Sequence, residues 1–97
     1  MAGTMVNKRT ARLYLISGQV QGVGYRAFAA EAARRASVAG WARNLADGRV
    51  EVYAIGSGRQ LDEFEGWLRK GPRFAEVRGV AVNEAAASDT QEFSIRS

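Results

Sequence analysis

The segment from Gly18 to Arg26, GQVQGVGYR, holds the residues whose types and spacing best suit chemistry. Its glycines, Gly18, Gly22 and Gly24, allow the backbone to curl so that successive amides point at one anion. A helical pattern begins directly afterwards, at about Tyr25. The first N–H groups of a helix lack intrahelical partners and lie at the positive end of its dipole. The segment therefore predicts an anion site, and phosphate is an anion that such helix starts bind.

The predicted helix start lacks the residues that normally stabilise one. No Ser, Thr, Asp or Asn lies between Gly18 and Arg26, and no acidic residue occurs before Glu31, so a good side-chain cap is missing. Arg26 falls in the first turn, where a cation opposes the helix dipole. A bound anion would serve as the cap and would also face Arg26. The alternative is a plain glycine turn capped by water, with Arg26 in solvent.

The composition removes several kinds of chemistry. The chain has no histidine and no cysteine, which excludes imidazole acid/base catalysis, thiol nucleophiles and Cys/His zinc sites. Fourteen basic residues, twelve of them arginine, stand against ten acidic ones and give a net charge of +4. This balance favours anionic partners, either nucleic acid or small phosphorylated molecules. Because the arginines are spread along the chain, we expect most of them to be solvated.

A dinucleotide-binding pattern can be set aside. Gly22, Gly24 and Ala27 fit G-x-G-x-x-A, and Asp47 follows about twenty residues later, as that fingerprint requires. Asp47, however, is predicted in a hairpin turn and not at the end of a parallel strand. At 97 residues, the chain is also too short for a doubly wound sheet.

Hydrophobic periodicity and turn residues predict seven elements along one domain. They are strands at Arg12–Ser17, Val38–Leu45, Arg49–Ile55, Phe74–Val82 and Glu92–Arg96, with helices over residues 25–37 and from Ser57 to Gly71. Asp47-Gly48 predicts a hairpin turn, and Ser57 with Gln60 predicts a capping box. Residues 85–90 are predicted as a loop.

The element order is β-α-β-β-α-β with a short extra C-terminal strand. It predicts an α+β, ferredoxin-like sandwich, in which two helices cover one face of a mainly antiparallel sheet. Residues 11–97 are expected to form this single domain, and residues 1–10 a flexible N-terminal tail. Because the tail lacks the apolar stretch of a signal peptide or membrane span, we expect a cytoplasmic protein without membrane contact.

Two motifs make the chain resemble the acylphosphatase family. Gly18-x-Val20-Gln21-Gly22-Val23-x-Tyr25-Arg26 is similar to the first signature of the family, and Gly40-Trp41-Ala42-Arg43-Asn44-x-x-x-Gly48-x-Val50, with Gly56 beyond it, is similar to the second. Their order and spacing are those of the family, and the similarity runs from about Arg12 to Ile95. Gln19 stands where many members carry Arg, which weakens the local positive field but should leave the backbone cradle intact.

The resemblance implies hydrolysis of acyl phosphates, such as acetyl or carbamoyl phosphate, to a carboxylate and inorganic phosphate. By similarity, the phosphoryl oxygens would lie in a cradle of backbone amides from Gln21, Gly22, Val23, Gly24 and Tyr25. Arg26 would hold the same oxygens and stabilise charge in the transition state, and Asn44 would position the attacking water. A phosphoryl oxygen of the substrate would accept the proton of that water, without a metal or cofactor. Taken without the resemblance, Asn44 before a hairpin turn is ordinary turn chemistry.

The partners follow from the same interpretation. We expect a monomer that binds a small-molecule acyl phosphate, with inorganic phosphate or sulfate as competing anions. A nucleic-acid-binding module is the alternative, because many ferredoxin-like domains stack RNA bases on the open face of the sheet. The third strand argues against it, since Tyr53 is its only exposed aromatic residue and the RNA-binding pattern is missing. Trp41, Phe64, Trp67 and Phe93 are predicted as packing residues. A regulatory or carrier domain, of the kind fused into larger enzymes, is a further alternative.

Overall fold

The protein, described by a computed structural model for residues 9–97, forms five strands and two helices. The strands are β1 (Thr10–Gln19), β2 (Ala39–Asn44), β3 (Val50–Gly56), β4 (Glu76–Ala85) and β5 (Phe93–Arg96), and the helices are α1 (Tyr25–Ala36) and α2 (Gly58–Lys70). Most of the predicted tail, residues 1–8, lies outside the described residues, and Thr10 already belongs to β1.

The strands form one sheet in the order β4-β1-β3-β2-β5. β1 pairs antiparallel with β3 and β4, and β2 pairs antiparallel with β3. Only the pairing of β2 with β5 is parallel. This mainly antiparallel sheet with two helices confirms the predicted ferredoxin-like α+β fold.

The core lies between the helices and one face of the sheet. On β3, the alternate residues Val50, Val52 and Ala54 point to the same face of the sheet and are fully buried. Tyr14 of β1 meets Phe64 of α2 in an edge-on contact, with ring centroids 6.0 Å apart. The predicted packing role of Phe64 is therefore confirmed.

The opposite face of the sheet carries the half-buried Trp41. Its ring stacks on that of Tyr53, with centroids 5.7 Å apart, and the guanidinium of Arg96 lies 4.8 Å from the Trp41 ring centroid. A cation over an aromatic face is attracted by the ring quadrupole. Trp41 is therefore a half-buried packing residue, as predicted, and its packing partner on this face is Tyr53.

The fourth strand differs from its prediction at both ends. It begins at Glu76, because Ala75 donates a backbone hydrogen bond to the carbonyl of Pro72 at 3.1 Å and closes a turn that leaves Phe74 77% exposed. It continues to Ala85 because the pairing with β1 extends to Ala11. The sequence analysis did not predict this extension, because polar residues late in the strand break its apolar alternation.

Both helices end close to their predicted limits. α1 stops at Ala36, where Ser37 takes a left-handed backbone conformation with φ 60°. α2 has the predicted capping box: Gln60 N donates to Ser57 Oγ at 3.2 Å, and Ser57 N donates to Gln60 Oε1 at 2.9 Å. In the part of the chain that the structure describes, no helix has the length and apolar character needed to cross a bilayer.

Candidate active site

The loop between β1 and α1 has the conformation that its glycines allow. Gly22 and Gly24 have φ of 76° and 79°, a region that residues with side chains rarely adopt. Gly24 is also the N-cap of α1; no side chain caps the helix, and its first turn contains no acidic residue. The uncapped helix start predicted from the sequence is therefore confirmed.

Tyr25 fixes the position of this helix start. Its backbone begins α1, whereas its side chain is buried and its hydroxyl donates a hydrogen bond to the carbonyl of Leu68, near the end of α2, at 2.7 Å. Burial raises the pKa of Tyr25, because the phenolate would lose its hydration. The Tyr25 side chain thus anchors the start of α1 to α2 and leaves the backbone at the loop.

Gln21 joins the loop to the hairpin between β2 and β3. Its side-chain Nε2 donates to the carbonyl of Leu45 at 2.8 Å and to that of Arg49 at 2.9 Å. Leu45 and Arg49 are themselves paired, through a 2.8 Å hydrogen bond from Leu45 N to Arg49 O. The sequence predicted Gln21 for its backbone amide alone, and this side-chain contact was missed.

Arg26 lies in the first turn of α1, and its guanidinium is held by the last strand. Nη1 donates to the backbone carbonyl of Arg96 at 2.7 Å. Within residues 9–97, Arg26 forms no ion pair with a carboxylate inside 4.0 Å. Seven other arginines each form an ion pair with a carboxylate: Arg12, Arg34, Arg35, Arg43, Arg49, Arg69 and Arg78. The positive charge of Arg26 is therefore available to an anion at the loop.

Asn44 is the last residue of β2, opposite Val50 of β3. The turn that follows is closed by other groups: Asp47 Oδ1 accepts a hydrogen bond from Arg49 N at 3.1 Å, and Gly48 has φ 96°. Hydrogen bonds from Arg49 also lower the pKa of Asp47. Because Asp47 and Gly48 provide the turn chemistry, Asn44 is not required for it.

A pocket of about 210 Å³ brings most of the predicted site residues together. Gly22, Gly24, Tyr25, Arg26 and Asn44 line it, together with Val20, Ala27 and Ile95. Arg26 and Asn44, eighteen residues apart in sequence, therefore face one space beside the start of α1.

Two predicted cradle residues, Gln21 and Val23, do not line this pocket. The Gln21 side chain turns to the hairpin, and Val23 packs against the core. The sequence analysis missed Ala27 and Ile95. Ile95 had no local signal, since it reaches the site only because β5 pairs with β2. Among residues 9–97, no group of three acidic side chains is arranged to hold a metal ion.

Comparison with known proteins decides the family. The acylphosphatase family model matches residues 12–95 of the chain. The chain belongs to the acylphosphatase family. An acylphosphatase from Solibacter usitatus is 48% identical over 96 residues, covering 99% of this chain and all of that protein. Members of the family hydrolyse acyl phosphates, and this chain is accordingly a hydrolase of that kind.

Solved acylphosphatase structures have the same fold. The acylphosphatase from Coxiella burnetii superposes with a TM-score of 0.86 at 33% identity, covering 91% of this chain and 93% of that one. The crystal structure of the Bacillus subtilis acylphosphatase gives a TM-score of 0.86 at 34% identity, covering 93% of this chain and all of that one. The structural likeness and the sequence signatures therefore agree on an acylphosphatase fold.

Proposed function

We propose that the pocket at the start of α1 hydrolyses acyl phosphates without a metal, with separate roles for the amide cradle, Arg26 and Asn44. The observation that carries the proposal is the pocket itself, in which Arg26 and Asn44 face the uncapped helix start. An anion there would gain the unpaired amides and the helix dipole together. The phosphoryl group is the anionic part of the substrate, so it belongs in this position.

The cradle and Arg26 stabilise charge on the phosphoryl group. In the proposed complex, backbone amides from Gln21 to Tyr25 donate to its oxygens. Gly22, Gly24 and Tyr25 line the pocket, whereas Gln21 and Val23 would contribute only their backbone N–H groups, since their side chains turn away from it. The guanidinium of Arg26 adds a full positive charge. That charge is not balanced by a carboxylate, because the hydrogen-bond partner of the guanidinium is the neutral carbonyl of Arg96. Phosphoryl transfer depends mainly on positioning and electrostatics, and these groups supply both.

Asn44 directs the water. Its side-chain amide would hold a water opposite the leaving carboxylate, so that a bond forms from the water oxygen to phosphorus while the bond from phosphorus to the acyl oxygen breaks. The carboxylate leaves with the electron pair of that bond, and a phosphoryl oxygen takes a proton from the water. A carboxylate is a weak base and leaves readily, so the reaction does not require a histidine, which the chain lacks.

The product of this reaction should also be an inhibitor. Inorganic phosphate carries the same oxygens as the phosphoryl group, and sulfate has a similar shape and charge, so both should compete for the cradle. The proposed site needs no residue from a second chain, and the monomeric state stays a prediction. The cytoplasmic location and the absence of nucleic-acid binding stay predictions.

Phosphate release from acetyl phosphate in excess EDTA tests the mechanism. We expect the kcat of the purified protein to be the same in EDTA as in buffer with Mg²⁺, after subtraction of spontaneous hydrolysis. Loss of activity in EDTA with recovery on added Mg²⁺ would contradict metal independence. An Arg26→Lys protein, treated identically, controls for contaminating phosphatases.

A further inference from the structure

A second cavity lies between α1 and β5 and is much larger than the pocket at the start of α1, which we call the phosphate pocket. The volume of the second cavity is about 960 Å³. The side chains at its apolar surface come from both elements and from the segment between α1 and β2; they are Ala27, Ala30, Ala33, Val38, Phe93 and Ile95. We refer to this cavity as the α1–β5 groove.

The groove adjoins the phosphate pocket. Ala27 and Ile95 line both cavities. From Ala27 the groove follows one face of α1 to Arg34, along which the helix rises about 10 Å. The two cavities therefore adjoin at Ala27 and Ile95.

The chemistry of the groove suits an uncharged, apolar group. Ile95 is 50% exposed and Phe93 is half-buried, so both offer apolar surface that a ligand would remove from water. Four charged residues line the groove and balance in number, Arg9 and Arg34 against Glu31 and Glu92, and Glu31 pairs with Arg34. The groove therefore offers little charge to attract a second anionic group.

We propose that the α1–β5 groove binds the acyl part of the substrate and that the preferred acyl phosphates carry an unbranched apolar chain. The inference rests on the proposed function of the phosphate pocket, because that pocket orients the substrate. At about 210 Å³ the pocket surrounds the phosphoryl group, and the acyl chain extends beyond it. Burial against Ala30, Phe93 and Ile95 then adds binding energy for each methylene of the chain.

A chain-length series tests this preference. We expect kcat/KM to rise from acetyl to butanoyl to hexanoyl phosphate. A fully buried methylene is worth about fourfold and a half-buried one about twofold, so the four additional methylenes of hexanoyl phosphate should raise kcat/KM by about fifteenfold. Succinyl phosphate, which adds a carboxylate, should be no better than acetyl phosphate. Equal kcat/KM for acetyl and hexanoyl phosphate would overturn the proposal, as would a preference for succinyl phosphate.

A substitution at Ala30 tests whether the chain-length preference arises in the groove. Ala30 lines the groove and not the phosphate pocket. In Ala30→Phe, the bulky ring should abolish the hexanoyl preference and leave kcat/KM for acetyl phosphate within about twofold of wild type, which also shows that the protein is folded. The matched control Ala30→Ser should keep both properties. A hexanoyl preference that survived in Ala30→Phe would show that the chain binds elsewhere.

Alkylphosphonates give an answer that does not depend on turnover. For the wild-type protein, the dissociation constant of hexylphosphonate, measured by calorimetry, should be about tenfold lower than that of methylphosphonate. Equal dissociation constants for the two phosphonates would refute binding of the alkyl chain in the groove, even if acetyl phosphate is hydrolysed. If phosphonates bind with this chain-length dependence but acetyl phosphate is not hydrolysed, the groove stands and the proposed catalytic function fails.

Discussion

The guanidinium of Arg26 donates a hydrogen bond to the backbone carbonyl of Arg96, with Nη1 and the carbonyl oxygen 2.7 Å apart. Arg26 lies in the first turn of α1 and Arg96 ends β5, so this bond joins the first helix to the last strand beside the pocket that Arg26 lines. A backbone carbonyl orients the guanidinium without cancelling its charge. The remaining donors of the guanidinium fork can face the anion.

Replacement of Arg26 by lysine should remove most of the activity. Lysine keeps the charge but not the planar fork, so it cannot hold the Arg96 carbonyl and the phosphoryl oxygens together. We expect kcat/KM for acetyl phosphate to fall by about 10² or more, with weaker phosphate binding. The matched control is Arg35→Lys, an exposed position on the same helix, which should behave as wild type.

The substitution Asn44→Ala should separate water positioning from anion binding. We expect kcat to fall by about 10² to 10³, the usual cost of one such hydrogen-bonding group, while the dissociation constant of phosphate stays within about twofold. Steady-state kinetics and phosphate calorimetry measure the two effects. Asn83→Ala, at an exposed site on β4, is the control. Nearly full kcat in a folded Asn44→Ala protein would contradict the proposed role.

Gln21→Met should loosen the contact between the cradle loop and the hairpin that carries Asn44. The methionine side chain has a similar length but cannot donate to the carbonyls of Leu45 and Arg49. Both carbonyls still accept a hydrogen bond from a backbone N–H. The free energy of unfolding should therefore fall by only about 1 kcal/mol relative to wild type. We expect kcat to fall about tenfold with KM little changed, whereas Gln19→Met should leave both as they are.

Inorganic phosphate should bind the loop and stabilise the fold. The amides from Gln21 to Arg26 should shift in ¹H–¹⁵N spectra on titration, because the anion caps the uncapped start of α1. At a hundredfold excess over its dissociation constant, phosphate should add about 2.7 kcal/mol to the free energy of unfolding. Potassium chloride at equal ionic strength is the control. Unchanged loop amides in saturating phosphate would place the anion elsewhere.

Tyr25 should make the fold sensitive to high pH. Burial raises its pKa in the folded state above the unfolded value of about 10. The neutral phenol therefore contributes stability that is fully present below pH 10 and is lost as the pH rises further, since the unfolded chain then ionises first. Urea unfolding between pH 7 and 11 measures this loss.

The variant Tyr25→Phe should reduce that alkaline loss. It should also lower the free energy of unfolding at pH 7 by about 1 to 2 kcal/mol, because the buried carbonyl of Leu68 loses its hydroxyl donor. In Tyr53→Phe the Tyr25 hydroxyl is intact, and the alkaline loss should remain. A pH dependence unchanged by Tyr25→Phe would contradict the assignment.

Local sequence determined much of the fold and the position of the glycine loop before α1. The Asp47-Gly48 turn and the Ser57–Gln60 capping box depend on residues two or three apart, and the structure contains both. The uncapped start of α1 could likewise be predicted, since a side-chain cap must come from nearby residues. Such features can be predicted from the sequence because the interactions that stabilise them join residues only a few positions apart.

The surroundings of this loop were decided only by tertiary structure. The bond from Gln21 to Leu45 spans 24 residues, and that from Arg26 to Arg96 spans 70. The parallel pairing of β5 with β2 places Ile95 beside the pocket, yet a four-residue strand carries no signal for its partner or direction. These contacts depend on how the sheet and the helices pack their apolar faces together. The free energy of that packing comes from the whole core and not from any short segment.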